Sequence, residues 1–357
     1  MLRRTKLRLG VAALALCTVA TTGVISASAD PTAPTFRTLS GVGSDTIQDI
    51  DNGLSTVIPA LGSYDATGSA TIVTKSGGVS YARPNGSGAG LNALSDSAQG
   101  GTHLFNGVDI TGQVDFARSS SGPSGSGTAL TYIPFAKDAV TFAVNAASDF
   151  PRDIAVGSAS QDATTPAPFT LRNIYRCTVT TYTSGAGDDI TIRPLLPQQN
   201  SGTRKFWLST IGLTEAQVAG CATDLSNTVE EHNGTFVTGP GDIVPFSIAQ
   251  FIAQGNWSTL PSAVLERRGN IDLGQISGVK PYNVTIGSGA VLNTSFPVTR
   301  NVYNVVQTSR LAESAIAATF VGSSSAVCSN ATLIKKYGFG TLGSACGSTT
   351  TTGPFTQ

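Results

Sequence analysis

Three short turns that contain glycine and serine are the sequence feature that most limits how this chain can fold. Each stands between an extended stretch and a stretch of helical character, and they are Gly43-Ser44-Asp45-Thr46, Gly86-Ser87-Gly88-Ala89-Gly90 and Asn200-Ser201-Gly202-Thr203. A helix that begins after such a turn points unpaired backbone N–H groups and the positive end of its dipole at whatever lies in front of it. We therefore expect the three turns to converge on an oxyanion.

Strand-like and helix-like stretches alternate along the chain, which indicates an α/β fold. Two apolar extended runs at 130–136 and 139–144 predict a long strand pair or a segment that crosses between two lobes, and 243–251 predicts a return crossing. Further strands are predicted at 39–42, 70–74, 113–117, 190–195 and 296–306, and helices at 46–58, 170–177, 204–211 and 309–320.

The first 29 residues have the pattern of a signal peptide. A basic segment at 2–8 precedes a largely apolar stretch at 11–24, and Ala27-Ser28-Ala29 fits a signal-peptidase site. We expect cleavage after Ala29 and a secreted or extracytoplasmic mature protein that begins at Asp30. Leu16 stands where a lipobox has Gly, Ala or Ser, so Cys17 is not expected to carry a lipid.

Charge and hydropathy exclude two classes of partner. The full chain has a formal net charge of +0, and removal of the basic leader leaves about −4. This balance argues against a nucleic-acid-binding surface or polybasic adhesion to a membrane, although it permits a local positive pocket. No second apolar run approaches the roughly 18 to 20 residues that span a bilayer.

The cysteine count of the mature chain predicts two disulfides. Four cysteines follow the leader, and an even number in an exported protein favours pairing over metal binding. Three connectivities are open, and sequence proximity favours Cys177–Cys221 and Cys328–Cys346. No CxxC pair is present, so a zinc site built on cysteine is not expected.

Catalytic and metal-binding patterns are weak in this sequence. Both histidines, His103 and His232, lie in polar turns and are expected to be solvated. Glu230-Glu231-His232 is not expected to hold a metal, because adjacent side chains do not share a face. There is no GxSxG elbow and no glycine-rich phosphate loop of the Walker or GxGxxG type. We predict a binding protein that is not an enzyme, with no metal and no cofactor.

Five segments in a characteristic order give the chain a family resemblance. They are Gly41-Val42-Gly43-Ser44-Asp45-Thr46, Gly86-Ser87-Gly88-Ala89-Gly90, Val114-Asp115-Phe116-Ala117-Arg118-Ser119-Ser120, Tyr132-Ile133-Pro134-Phe135 and Asn200-Ser201-Gly202-Thr203. This order resembles the type 2 periplasmic-binding-protein fold, and specifically the phosphate-binding proteins of ABC importers. The resemblance extends from about residue 39 to residue 320.

The resemblance implies two α/β lobes with a ligand cleft between them and a hinge of crossing strands. Lobe 1 is expected to take residues 30–133 plus 252–357, and lobe 2 residues 134–251. In the family the anion is held by backbone N–H groups, hydroxyls, an arginine and an aspartate. The implied ligand-binding residues here are Ser44, Asp45, Thr46, Ser87, Gly88, Arg118, Ser119, Ser120, Ser201, Gly202, Thr203 and Arg204.

Two charged positions of the family differ in this chain. The aspartate that accepts a proton-bearing phosphate oxygen corresponds to Ser120, and an arginine before the third turn corresponds to Pro197. We hypothesise that Arg118 and Arg204 supply positive charge instead, and that Asp45 supplies the acceptor.

The resemblance also implies a function. It is that of a monomeric solute-binding protein that captures an inorganic oxyanion, phosphate above all, and delivers it to an ABC permease. A secreted module of the same fold, which binds another anion or a surface partner without serving transport, is the alternative.

Overall fold

The structure is a computed structural model that describes residues 30–31, 35–285 and 289–357, so the predicted signal peptide lies outside the described residues. The strands are β1 Leu39–Gly43, β2 Leu61–Ser63, β3 Thr71–Ile72, β4 Tyr81–Ala82, β5 Phe116–Ser119, β6 Leu130–Asn145, β7 Thr181–Thr183, β8 Asp189–Thr191, β9 Arg193–Pro194, β10 Asp242–Ser247, β11 Ile271–Leu273, β12 Tyr282–Thr285, β13 Gly289–Leu292, β14 Thr299–Gln307, β15 Gly340–Thr341 and β16 Thr352–Gly353. The α-helices are α1 Gln48–Ser55, α2 Gly86–Gln99, α3 Leu171–Tyr175, α4 Gly202–Ile211, α5 Glu215–Val218, α6 Ile248–Gly255, α7 Ser314–Phe320, α8 Ala326–Ser329 and α9 Ala331–Lys336.

One strand runs through both halves of the molecule. β6 has 16 residues. Its residues 130–139 pair with β14 and its residues 140–144 pair with β10, both antiparallel. The neighbour of β6 therefore changes between Ala139 and Val140. The two apolar runs form one continuous strand, and the predicted crossing between lobes is confirmed.

Each half of β6 belongs to a different sheet region. The first has the strand order β2-β1-β5-β14-β6, with β1 parallel to both of its neighbours and β14 antiparallel to both of its own. The second has the order β6-β10-β9, and β11 pairs with the other edge of β6. The prediction of a two-lobed α/β fold is confirmed, whereas the residue limits of the lobes stay a prediction.

Apolar side chains fill both faces of these sheets. In the first region Phe116 and Ile133 pack towards α9, and Val42 packs with Leu94 of α2 on the opposite face. In the second region Trp207 of α4 is fully buried in a cluster that also holds Phe142. The C-terminal end of β1 and the N-terminal end of α4 are thus packed against these cores. This packing fixes the first turn, which follows β1, and the third turn, which precedes α4.

Local signals in the sequence locate most of the short elements. Thr170 caps α3 and accepts the N–H of Asn173, and Thr214 and Gln217 form a capping box at α5, as their spacing predicts. The helix predicted at 309–320 is divided, because residues 308–310 form a 3-10 turn before α7 begins. α2 begins in the second turn and continues to Gln99.

Glycine allows α2 to approach β1 at van der Waals distance. A Cβ atom on Gly90 would lie 2.5 Å from the Cα atom of Gly43, which itself has a φ of +113°. Residues with side chains at these positions would push the helix away from the strand. The glycines of the second turn therefore position α2 against the first turn.

Both disulfides have the predicted pairing. Cys177 bonds to Cys221 with their Cα atoms 5.7 Å apart, and Cys328 bonds to Cys346 with their Cα atoms 5.8 Å apart. Within the described ranges no helix is both long enough and apolar enough to cross a membrane.

Removal of the Cys328–Cys346 bond is expected to destabilise the protein. The bond closes a loop over a sequence separation of 18 residues. Loss of this constraint on the unfolded chain should lower the free energy of unfolding by about 3 kcal/mol. Urea unfolding of the Cys328→Ala/Cys346→Ala variant, beside wild type under non-reducing conditions, measures the change. A loss well under about 1 kcal/mol would contradict the expectation.

Candidate functional site

A cradle of three hydroxyl groups surrounds one buried carboxylate between the two sheet regions. Thr46 Oγ1 donates to Glu231 Oε1 at 2.5 Å, Thr203 Oγ1 donates to the same oxygen at 2.6 Å, and Ser201 Oγ donates to Glu231 Oε2 at 2.8 Å. All four residues are buried. We call Thr46, Ser201 and Thr203 the hydroxyl cradle, and its occupant is the side chain of Glu231.

The first and third turns supply the hydroxyls of the cradle. The first turn lies between β1 and α1, and the third turn precedes α4. Thr46 follows β1 in the turn before α1. Ser201 caps α4, and its Oγ accepts the N–H groups of Thr203 at 3.0 Å and Arg204 at 3.2 Å. The cradle thus lies at the N-terminal end of α4, where the helix dipole favours a negative charge.

Arg300 of β14 brings positive charge to the cradle. Its Nη2 donates to Thr203 Oγ1 at 2.7 Å. The guanidinium also forms an ion pair with Asp138 of β6, from Nη2 at 2.8 Å and from Nε at 3.1 Å to the same oxygen. Both side chains are almost fully buried. Nη1 of Arg300 has no hydrogen-bond partner among the described residues.

The second turn meets the third turn directly. Ser87 Oγ accepts the N–H of Ser120 at 3.0 Å and lies 3.2 Å from Ser120 Oγ. A Cβ atom on Gly202 would come within 2.5 Å of both hydroxyl oxygens, so only glycine lets the start of α4 come this close. The N–H of Gly88 donates to the carbonyl oxygen of Asn200 at 3.0 Å. All three predicted turns therefore meet in one region.

Other predicted ligand residues are engaged elsewhere. Arg118 is fully buried behind the first turn, and its guanidinium donates to the carbonyl oxygens of Gly41, Gly43 and Ser44 and to Ser63 Oγ.

Arg204 points away from the cradle as well. It pairs with Glu215 and Asp224 and donates to the carbonyl oxygen of Pro197. The structure does not bring either arginine to the cradle, and their ligand roles stay predictions.

Two further hydroxyls of the predicted set also lie outside the cradle's hydrogen bonds. Ser119 Oγ donates to the carbonyl oxygen of Ser121 at 2.7 Å. Ser44 Oγ is buried and makes no hydrogen bond within the described part of the chain.

A second group of polar side chains lies beside the cradle. Nδ1 of His232 is 2.9 Å from Asp45 Oδ2, and Asn85 Nδ2 donates to Glu230 Oε1 at 2.8 Å. His232 is only 1% exposed, so its expected solvation is wrong. The turn that holds it packs beneath the first turn, and Gln254 Nε2 donates to the carbonyl oxygen of His232 at 2.7 Å.

Burial and mutual repulsion control the charge of these groups. Burial together with the Asp45 charge raises the pKa of Glu230 to about 10 and that of Glu231 to about 7. Burial also opposes ionisation of Asp45, but the hydrogen bond from His232 holds the pKa of Asp45 below its usual range. Burial lowers the pKa of His232, so this histidine is neutral at pH 7.

An open cavity adjoins the cradle. It has a volume of about 310 Å³ and shares Arg300 and Ser120 with the residues described above. Lys205 of α4 adds a second cationic group, and Phe206 and Tyr303 complete its apolar wall. The Arg300 guanidinium carbon lies 5.3 Å from the centre of the Phe206 ring. The cavity therefore combines positive charge with a hydroxyl donor.

Comparison with known proteins assigns the chain to a family. A family model described as a PBP superfamily domain matches residues 28–325. The chain belongs to this family. The PBP superfamily groups binding proteins, so this member is a binding protein rather than an enzyme. Its two disulfides fit an extracytoplasmic location.

Several solved structures are similar to this chain, and the first of those named here shows the same fold. A Clostridium perfringens protein described as a phosphate ABC transporter substrate-binding protein with bound phosphate has a TM-score of 0.52 at 13% identity, over 85% of this chain and 99% of that one. An ABC-type phosphate transport receptor from Vibrio cholerae has a TM-score of 0.48 at 17% identity, over 85% and 100%. A phosphate binding protein from Stenotrophomonas maltophilia has a TM-score of 0.45 at 16% identity, over 86% and 91%. No curated protein matches the chain.

Sequence reasoning missed Glu231 and Arg300 as parts of this region. Arg300 had a signal, since it is a basic residue within an otherwise strand-like apolar segment, and Asp138 is its acidic counterpart between two apolar runs. Opposite charges in two buried strands indicate a buried ion pair. Glu231 had no comparable signal, because its contacts depend on how a turn of one lobe meets the other.

Proposed function

We propose that the protein is exported and binds an inorganic oxyanion between its lobes, with phosphate as the first candidate, for delivery to an ABC-type importer. The single observation that carries this proposal is the hydroxyl cradle around the Glu231 carboxylate. Hydroxyl donors at a helix N-terminus beside a guanidinium are the groups that hold oxyanions in proteins. Glu231 occupies the cradle as an internal anion.

A free oxyanion has two ways to reach these donors. It can displace the Glu231 side chain, or it can enter the adjoining cavity, where Lys205 and Arg300 would contact it. Nη1 of Arg300 is a buried donor without a partner in the described ranges, and a ligand oxygen would supply one. Both routes place the ligand between the lobes. The leader, with cleavage predicted after Ala29, supports export.

A secreted module without a transport role is the second candidate. The observation that favours it is again Glu231, because a cradle filled by the protein's own carboxylate leaves less reason for a free anion to bind. Such a module would bind another anion or a surface partner. Genes for a permease and an ATPase next to this one would favour transport over this candidate.

Titration calorimetry with phosphate, sulfate, arsenate, molybdate and small carboxylates tests the proposal. We expect one oxyanion, phosphate first, to bind with a stoichiometry near one and to raise the melting temperature. If no anion in the panel binds to wild type or to the variant described next, the oxyanion-binding proposal fails and the second candidate is favoured.

The Glu231→Gln variant is expected to bind the oxyanion more tightly than wild type. It keeps the size of the side chain but removes a negative charge next to an incoming anion. We expect an affinity gain of about tenfold or more, which corresponds to roughly 1.4 kcal/mol. Glu313→Gln is the matched control, because Glu313 is half-exposed and pairs with Arg310 far from the cradle. Equal affinities for the two variants would contradict the role given to Glu231.

A further inference from the structure

We propose that Asp45, Glu230 and His232 form a binding site for a divalent transition-metal cation, with Zn²⁺ as the first candidate. Each residue offers one ligand atom, and these atoms lie within 4.8 Å of one another. All three residues are at least nine-tenths buried. The site is separate from the hydroxyl cradle, although Glu231, which occupies the cradle, lies between Glu230 and His232 in the sequence.

Two unpartnered carboxylate oxygens favour cation binding at this cluster. Asp45 Oδ1 and Glu230 Oε2 are buried and have no hydrogen-bond partner among the residues that the structure describes. A buried carboxylate oxygen without a donor is costly, and an adjacent second carboxylate raises that cost through repulsion. Arg300, which donates to Thr203 of the cradle, is already paired with Asp138. A bound divalent cation would satisfy both free oxygens at once.

The ligand set and its spacing suit Zn²⁺. Carboxylate oxygen and imidazole nitrogen both coordinate Zn²⁺ at about 2.0–2.2 Å. Two such ligands in a tetrahedral site lie about 3.4 Å apart, and the ligand atoms of Asp45, Glu230 and His232 lie within 4.8 Å of one another, so small side-chain movements would complete the site. Neutral His232 would bind the cation through Nδ1 as the tautomer that carries its ring proton on Nε2, since a histidine ligand is the neutral ring. Three protein ligands leave the fourth position to water.

Neighbouring hydrogen bonds hold the ligands in place. Asn85 Nδ2 binds the other oxygen of Glu230, and the N–H of Asn233 donates to the carbonyl oxygen of Glu230 at 3.1 Å. The turn at 230–233 brings both Glu230 and His232 close to the Asp45 carboxylate. The sequence did not predict this, because neighbouring side chains were expected to point in different directions. Outer hydrogen bonds of this kind orient metal ligands in known sites.

A shared proton between Asp45 and Glu230 is the competing explanation for the two free oxygens. It would neutralise one negative charge and would weaken cation binding, because the cation would have to displace the proton. The two explanations differ in a measurable way, because only the metal site binds Zn²⁺ with a stoichiometry of one. Since Asp45 follows β1 and His232 lies in the segment between α5 and β10, a cation here would also bridge the two sheet regions.

Zinc titration of the full mature chain tests the proposal. After dialysis against EDTA, we expect calorimetry with ZnCl₂ to show one equivalent bound, and a saturating excess to raise Tm by on the order of 5 °C. Asp45→Asn and His232→Asn should each weaken Zn²⁺ binding at least tenfold. His103→Asn is the matched control and should bind Zn²⁺ like wild type, because His103 lies outside the cluster.

A second measurement needs no variant. Titration of wild type with CoCl₂ should give a saturable visible absorption typical of a four-coordinate site with an imidazole ligand, and added ZnCl₂ should abolish it. The absence of stoichiometric Zn²⁺ binding to wild type, or unchanged binding in both Asp45→Asn and His232→Asn, would overturn the proposal and favour the shared proton. Neither result depends on whether phosphate binds to the cradle.

Discussion

The Arg300→Ala variant is expected to lose about 3–5 kcal/mol of unfolding free energy, because it leaves the Asp138 carboxylate buried without its cation. Among the described residues, Asp138 then keeps two donors, the hydroxyl of Ser247 at 3.0 Å and the N–H of Ala249 at 3.3 Å. Thr203 also loses the guanidinium that contacts its hydroxyl. Urea unfolding followed by circular dichroism measures the loss.

A double variant separates the ion pair from the simple loss of packing. Arg300→Met/Asp138→Asn removes both charges and keeps most of the side-chain volume, so it should be more stable than Arg300→Ala alone. If the double variant is the less stable of the two, an uncompensated buried charge is not the cause. A loss below about 1 kcal/mol for Arg300→Ala would contradict the burial argument itself.

Stability is expected to fall as the pH rises from about 4 to 7, and two buried carboxyl groups of α1 contribute to this fall in addition to Glu230 and Glu231. Burial raises the pKa of Asp51 to about 7, against the opposing charge of Arg118. Burial likewise raises the pKa of Asp49 to about 6, with Arg267 opposing and Asp65 reinforcing the rise. The folded state therefore holds protons that the unfolded chain releases near pH 4.

The sign follows from proton linkage. Where the folded state binds more protons than the unfolded state, the free energy of unfolding decreases as pH increases. These two groups contribute no penalty below about pH 4, and their penalty is complete above about pH 7. We expect it to reach several kcal/mol, because one pKa unit corresponds to about 1.4 kcal/mol. Urea unfolding at a series of pH values measures this slope.

The Asp51→Asn variant identifies the source of the slope. It has no carboxyl group to titrate, so its stability should depend less on pH between 4 and 7 than that of wild type. Asp188→Asn is the matched control, since Asp188 is exposed in a turn and should leave the slope unchanged. A wild-type slope in Asp51→Asn would show that other groups cause the pH dependence.

Local features of the sequence predict the turns and the fold well. The cap residues, the glycines and the apolar runs determine local structure within a few residues. Their effect can therefore be predicted without knowledge of distant contacts. Ser201 shows this, because its side chain caps α4 and also reaches the cradle. The strand that crosses between lobes was recognisable because both of its apolar runs were long.

Side-chain direction could not be predicted in the same way. Arg118 directly precedes Ser119 and Ser120 in sequence. Its strand pairs with β1 at Gly43, however, and the Arg118 side chain turns back along β1. Arg204 is in the first turn of α4, where Glu215 and Asp224 capture its guanidinium. Charge at the cradle comes instead from β14, a strand far along the chain.

The position of β14 determines the order in which the lobes can be completed. It lies between β5 and β6 in its sheet, although residues 299–307 follow β6 by more than 150 positions, and β16 near the C-terminus pairs with the start of β6. The strands β6, β9, β10 and β11 all precede residue 274. Chains emerge from the ribosome N-terminus first. The lobe that begins first along the chain is therefore the one that is completed last, and its unfinished sheet edges are those that need protection during synthesis.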